Sequence, residues 1–424
     1  MIYFVFLRML RVTVRIFFRH IHVSNVDKVP YDKPLVIAAN HPGAFLDPII
    51  IACFIKKPIY FLVRGDVFKN KLVRLIFEQF HMIPVYRKDE GFENIEKNHD
   101  TNAKVANILK QNGIVVIFSE GYSAIDRRLR TILKGTARIC MQTAMSENLD
   151  VQILPAGITY THKTNYRREV ILDFSAPIAM RDFQESFETH PQKSFVSITN
   201  ELKNRLHHNF VEIRNPECDV LTELHLNYLR NEQRAPTIPV VTRNGKVLEH
   251  ERKISDAINL LYENDLPAYE QLEKITMTYQ KKLVEAHCTD SGVVSKLPWL
   301  LSFFGLVLGF PIMVLGAICW GIPYHLSCMV ANKKVTRIDF YDSVTVNFTN
   351  VFFFILISII TIIGTCYFGY YALLLVIIIP AMSTVGIWYL DVLKRIMEVF
   401  QAAPVKDSLL DRRKHLVQLI DTRE

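Results

Sequence analysis

From Phe348 to Leu390 the chain runs for 43 residues, FTNVFFFILISIITIIGTCYFGYYALLLVIIIPAMSTVGIWYL, without one charged side chain. About 20 apolar residues suffice to cross a bilayer as a helix, so this run holds two crossings. It reads as a membrane hairpin turning near Gly369. Residues 298–323, PWLLSFFGLVLGFPIMVLGAICWGIP, are also uncharged. They are long enough for one spanning helix, yet Pro311 near their middle equally permits a broken, re-entrant hairpin. The stretch NKKVTR at 332–337 and the tail around Arg412, Arg413 and Lys414 are basic. The positive-inside rule puts both on the cytoplasmic side, and an even number of crossings between them agrees. With a re-entrant 298–323 segment, everything upstream is cytoplasmic as well.

Hydrophobic residues make up 50% of the 424-residue chain and charged residues 22%, which implies a soluble part joined to a membrane part. A net charge of +8 suits either nucleic acid or an anionic lipid surface, and the apolar segments decide for lipid. No nucleic-acid partner is expected. Seven cysteines are scattered without a CxxC pair, so neither a disulfide framework nor a metal site is expected.

Residues 1–22, MIYFVFLRMLRVTVRIFFRHIH, place Arg8, Arg11, Arg15 and Arg19 along one side of a helix whose remainder is largely apolar. That pattern predicts an amphipathic interfacial helix, or a surface helix packed on the domain. Residues 23–215 alternate apolar runs (PLVIAAN, PIYFLVR, HMIPVYR, GIVVIFSEG, VQILPAGITY, EVILDF) with helix-like stretches such as KNKLVRLIFEQF and LKGTARICMQTAMSEN. Strand and helix in alternation predict an α/β domain with a largely parallel sheet flanked by helices. Residues 216–297 read as a mostly helical linker region interrupted by the loop RAPTIPVVTRNG, 298–390 as the membrane region and 391–424 as a basic cytoplasmic tail.

Four strand ends carry polar residues: NHPGAFLDP from 40, MIPVYRK from 82, FSEGYS from 118 and LPAGITY from 154. Strand ends of open α/β sheets face the crevice where ligands bind. Locally, Asp47 followed by Pro48 reads as a helix N-cap with proline at the first helical position. Residues six apart on one helix do not meet, so any pairing of His41 with Asp47 requires a turn at Pro42 and Gly43 that folds back over the helix start. Ser119 and Ser123 lack a GxSxG frame, which argues against a serine nucleophile. Arg64, Arg128, Arg130 and Arg138 read as solvated, and His81, His99, His207 and His208 as structural.

These strand ends resemble, in order, the four motifs of the glycerolipid acyltransferases that acylate glycerol 3-phosphate or lysophosphatidic acid. His41 and Asp47 match the first motif and Arg87 the second. Phe118, Glu120, Gly121 and Ser123 match the third, with LKGTARI at 133–139 similar to the helix start that follows it, and Pro155 matches the fourth. The resemblance covers about residues 30–180. Five residues separate His41 from Asp47 where most of the superfamily has four, and Ser119 stands where proline is usual. The longer spacing resembles the branch with the fungal-type glycerol 3-phosphate acyltransferases, and the SEGYSAIDRRLR stretch is also nearer that branch.

The resemblance implies a membrane enzyme that moves a fatty acyl group from acyl-CoA or acyl carrier protein to a hydroxyl of a phosphorylated glycerol, with no cofactor. The chemistry agrees with the residues. One base must take the hydroxyl proton as oxygen attacks the thioester carbonyl, and the thiolate leaves with little assistance. An imidazole suits that task, and a carboxylate on its other nitrogen fixes the tautomer. Arg87 can fork onto phosphate oxygens, and Lys134 at a helix start offers a second cation. Glu120 is expected to hold Arg87 or a neighbouring cation, or to bond an acceptor hydroxyl, while Gly121 permits close backbone approach. Another lyso-lipid acceptor, such as a lyso-aminolipid, and a non-catalytic lipid-binding scaffold are the alternatives.

Overall fold

The structure, a computed structural model, describes residues 2–86, 98–161, 166–233, 239–295 and 299–421. Arg87 therefore lies outside the described residues. The chain divides into two compact units, one comprising Met1–Phe210, Val240–Leu248 and Val330–Asn347, the other the remainder.

The first unit opens with α1 (Ile2–Phe17) and β1 (Ile21–Ser24), followed by β2 (Leu35–Ala39), α2 (Leu46–Phe54), β3 (Ile59–Arg64), α3 (Lys71–Gln79) and β4 (Met82–Val85). It continues through α4 (Asn98–Lys110), β5 (Ile114–Phe118), α5 (Gly135–Glu147), β6 (Gln152–Tyr160), β7 (Val170–Phe174), β8 (Ile178–Ala179), α6 (Gln184–Thr189) and α7 (Pro191–His207), and includes β9 (Val241–Thr242). The strands form one sheet in the order β4-β3-β5-β2-β6-β7-β1-β9, with β8 also against β6. All neighbours are parallel except that β6 meets β7 and β8 antiparallel. This is the expected largely parallel α/β sheet. β2 and β6 are buried along their whole length, which is why they read as continuous apolar runs rather than as alternating ones. Under the sheet, Val36, Ala38, Val115, Ile117 and Ile153 pack against Val105 and Leu109 of α4, Cys140 and Met141 of α5, and Ile198 and Leu202 of α7.

The helix expected over 1–22 ends at Phe17. Ile21 and His22 belong instead to β1, which is buried between β7 and β9, so sheet pairing overrides the helical pattern. Leu7, Leu10, Val14 and Phe17 of α1 are buried, while Ile2, Phe4 and Val5 are exposed. Arg11 does not join an outward basic stripe, because its Nε donates to the Cys53 carbonyl at 3.0 Å.

The second unit contains α8 (Asp219–Glu232), most of α9 (Lys246–Asn264), α10 (Leu266–Glu285), α11 (Asp290–Val294), most of α12 (Trp299–Lys334), most of α13 (Tyr341–Phe368), α14 (Leu375–Ala402) and α15 (Lys406–Asp421). Its core includes Tyr228, Tyr279, Leu283, Val293 and Leu416. Arg413, read as a charge of the basic tail, is buried and donates to Asp290 Oδ1 at 2.8 Å and to the Tyr228 carbonyl at 2.7 Å. α12 runs as one helix through Pro311 and Pro323, without the break that Pro311 permits. Gly369, where the hairpin turn is expected, takes φ +59, and α13 stops one residue before it. A Cβ at Gly316 would lie 2.1 Å from the Met382 carbonyl oxygen, so α12 and α14 cross backbone to backbone, as small residues allow between apolar helices. By length and composition, two helical stretches, Gly309–Lys334 and Ile338–Val417, are long and apolar enough to cross a membrane.

Candidate active site

β2 ends at Ala39, and the chain then turns through NHPGAF before α2 begins at Leu46. Ala44 sits at φ +48 in this turn, a left-handed conformation that costs a β-carbon-bearing residue about 1 kcal/mol or more. The turn brings His41 back over the helix start, so that Nδ1 lies 2.7 Å from Asp47 Oδ2. Helix α2 begins two residues earlier than the N-cap reading of Asp47 requires. Asp47 lies inside the first turn, and its oxygens look back across the loop instead of capping the helix.

Asp47 is fully buried, and an ionised carboxylate there must be well hydrogen-bonded to be tolerated. Oδ2 accepts the Gly43 N–H at 2.8 Å as well as His41, and Oδ1 accepts the Tyr160 hydroxyl at 2.8 Å. Burial, and next the charge of Asp47, push the Tyr160 phenol well above its ordinary range, so it stays a donor. A Cβ at Gly43 would fall 2.6 Å from the Tyr160 ring and 2.7 Å from Asp47 Oδ1, so glycine is required at that approach. The His41 ring stacks on Phe118 at the end of β5, with centroids 4.0 Å apart. With Nδ1 engaged by Asp47, Nε2 is the nitrogen left to exchange a proton, and 18% of the side chain is exposed.

Glu120 follows on the next strand end. It accepts the His41 backbone N–H at 3.2 Å and the Arg130 guanidinium at 3.1 Å. Burial raises its carboxyl above the usual range, against the opposing pull of Arg130 and of the His41 N–H. The cation it holds is thus Arg130, which also bonds Asp126. Arg130, read as a solvated charge, is instead part of the site wall; Arg128 lies 3.4 Å from Asp126 and is only half-buried. Gly121 takes φ +80, as the third motif's turn requires. Ser119, in the place of the usual proline, bonds Thr136 in the first turn of α5 at 2.9 Å. The Ser123 hydroxyl donates to Asp339 at 2.5 Å rather than pointing to an open acceptor position. Lys134 is exposed at the start of α5, and Pro155 is buried in β6 beside Ala38 of β2. His81 is a stacked structural ring, between Tyr3 and Tyr60. Among the described residues no cluster of His, Cys, Asp and Glu could hold a metal ion.

His41, Asp47, Glu120 and Gly121 are therefore brought together at the carboxyl ends of β2 and β5. Tyr160, at the end of β6, joins them without having been read from the sequence. Its only signal was a tyrosine closing the run that holds the fourth motif.

Residues 20–159 match the Acyltransferase family model. The resemblance carried by the strand-end motifs holds for this domain. Among curated proteins, the chain is 24% identical over 265 residues to glycerol-3-phosphate O-acyltransferase 2 of Saccharomyces cerevisiae, covering 58% of this chain and 34% of that protein. It is 29% identical over 102 residues to a 1-acyl-sn-glycerol-3-phosphate acyltransferase of Bacillus subtilis, covering 24% of this chain and 47% of that protein. The match thus spans less than half the length of either relative. A crystal structure of the 1-acyl-sn-glycerophosphate acyltransferase PlsC from Thermotoga maritima aligns over 43% of this chain and 72% of its own at 18% identity, with a TM-score of 0.30. That superposition is too loose to argue from.

Proposed function

We propose that the chain transfers a fatty acyl group from acyl-CoA or acyl carrier protein to a hydroxyl of glycerol 3-phosphate or 1-acylglycerol 3-phosphate at a membrane. His41 is the base in this reading. Its Nε2 takes the acceptor's hydroxyl proton as the oxygen attacks the thioester carbonyl, the carbon–sulfur bond breaks, and the thiolate leaves to be protonated. Asp47 holds the ring through Nδ1 and stabilises the imidazolium formed in the step. The observation that carries the reading is the 2.7 Å bond from a partly exposed histidine to a fully buried carboxylate bearing two further donors.

A phosphorylated acceptor is supported by the names of both curated relatives and by Lys134, exposed at the start of α5 where backbone N–H groups favour an anion. Arg130 is already engaged by two carboxylates. Arg87 is proposed as a second phosphate contact on its motif position alone. Glu120 acts by holding Arg130 and the His41 backbone rather than by touching the acceptor.

α13 and α14 are proposed to cross the bilayer, with the basic 332–337 stretch on the cytoplasmic side. Because Val330–Asn347 belong to the same compact unit as His41, that stretch takes the site with it to the cytoplasmic side.

The deciding assay follows free thiol release by the full chain in phospholipid–detergent micelles, with acyl-CoA and with acyl carrier protein as donors. Release is expected to rise on adding glycerol 3-phosphate or 1-acylglycerol 3-phosphate and to stay low without an acceptor. Absence of release with every donor and acceptor pair contradicts the proposal and favours a lipid-binding scaffold.

A further inference from the structure

The first unit receives a contribution from a distant part of the sequence. Residues 337–343, between two apolar helices, touch the site at three places. Ser343, buried, donates its hydroxyl to the Gly43 carbonyl at 2.8 Å and accepts the Leu46 N–H at 3.0 Å, 297 positions away along the chain. Gly43 and Leu46 are the two ends of the turn that holds Ala44 at positive φ, and they also bond each other at 2.9 Å. Asp339 accepts the Ser123 hydroxyl at 2.5 Å and the Arg337 guanidinium at 2.7 Å, and Arg337 in turn donates to the Ser123 carbonyl at 3.0 Å. Asp342 pairs with Arg168 at 2.7 Å. The Arg168 guanidinium lies 4.1 Å from the centre of the Tyr160 ring, and Tyr160 is the residue that bonds Asp47.

We infer that residues 337–343 form a positioning clamp for the His41–Asp47 pair, with Ser343 as its central residue. The inference rests on His41 being the base. The turn from His41 to Asp47 has no regular backbone ladder of its own beyond the Gly43–Leu46 and Ala44–Asp47 bonds, and it carries a strained residue. A hydroxyl that bonds both partners of one of those links fixes the spacing from imidazole to carboxylate, and Asp342 through Arg168 fixes Tyr160 on the far side of Asp47. The matched family domain ends at residue 159, well before this segment, so the clamp is an addition to it. It also makes the setting of the base depend on residues contiguous with α13.

A displacement of about 1 Å at a reacting group costs on the order of 100-fold in rate while leaving ground-state binding nearly intact. Ser343→Ala in the full chain should therefore lower kcat for acyl-CoA thiol release about 10- to 100-fold with KM for both substrates little changed. Its thermal midpoint should stay near that of wild type, and Ser343→Thr, which keeps the hydroxyl, should recover most of the rate. If Ser343→Ala does not fold, Ser343→Cys, close in size but a weak hydrogen-bonding group, must show the same selective loss of kcat. His41→Ala is assayed alongside. Wild-type kcat in folded Ser343→Ala or Ser343→Cys beside an inactive His41→Ala overturns the clamp and leaves the base in place. A loss confined to KM also overturns it. Full activity in His41→Ala overturns the reading of the base, and the clamp falls with it.

Discussion

Replacing His41 by alanine is expected to lower acceptor-dependent thiol release about 10²- to 10⁴-fold, the range over which a positioned general base contributes. The reasoning is geometric. Nδ1 is held 2.7 Å from a carboxylate that has no exposure and three donors, so ring orientation and tautomer are set before any substrate arrives. Phe118 stacked at 4.0 Å restricts rotation of the ring. Without the imidazole, Asp47 remains bonded to Gly43 and Tyr160 and cannot reach an acceptor, so no neighbouring group substitutes for the lost base. The loss should appear in kcat at saturating acceptor, and the melting temperature should change little, because the histidine side chain is partly exposed and makes one hydrogen bond. Steady-state kinetics on purified full-length protein reads both. A rate within a few-fold of wild type removes His41 from the mechanism.

The largest expected effect on stability lies at Gly157. A Cβ added there would stand 2.0 Å from the Asn209 carbonyl oxygen and 2.3 Å from its carbon, so the obstruction is backbone rather than the end of a mobile side chain. Asn209 cannot yield cheaply. Its side chain donates to Asp173 at 2.6 Å and accepts from Ser175 at 2.6 Å, and its N–H bonds the Leu206 carbonyl at 2.9 Å. Gly157 itself is fixed between Ala156 and Ile158, whose backbone is paired with β7 and with the Asn40 amide. Gly157→Ala is expected to cost about 3 kcal/mol or more, at the upper end of overpacking penalties. That is a large share of a typical stability of about 5–15 kcal/mol. Thermal unfolding of the full chain should show a clear drop in midpoint or a collapse in folded yield. An unchanged midpoint contradicts the packing described for β6.

The interior of the sheet was readable from the sequence because parallel strands buried on both faces leave long apolar runs: all six runs singled out became strands β2 to β7. β1 was hidden inside a helical pattern. Its four residues are buried by pairing with β7 and β9, contacts that come from 149 or more positions away. At the site, His41, Asp47 and Glu120 were visible because a titratable residue at a strand end has few structural uses. Tyr160, Arg130, Ser343, Asp339 and Asp342 were not. Each acquires its role through a partner that only the folded chain supplies, and a tyrosine ending a strand or a serine starting a helix carries no periodic mark of that partner. Asp47 was misplaced by two residues for a related reason: local propensity favours a cap, while three donors across the loop draw the carboxylate elsewhere.

The pH dependence of kcat/KM for acceptor-dependent thiol release, measured on wild type and Asp47→Asn, tests the proton transfer at His41 most directly. General-base catalysis predicts that wild-type activity falls by one proton on the acid side as imidazole is protonated. In Asp47→Asn the plateau should drop, because the ring has lost the carboxylate that holds its tautomer and orientation. Activity that does not fall on the acid side, or a plateau identical in the two proteins, contradicts it.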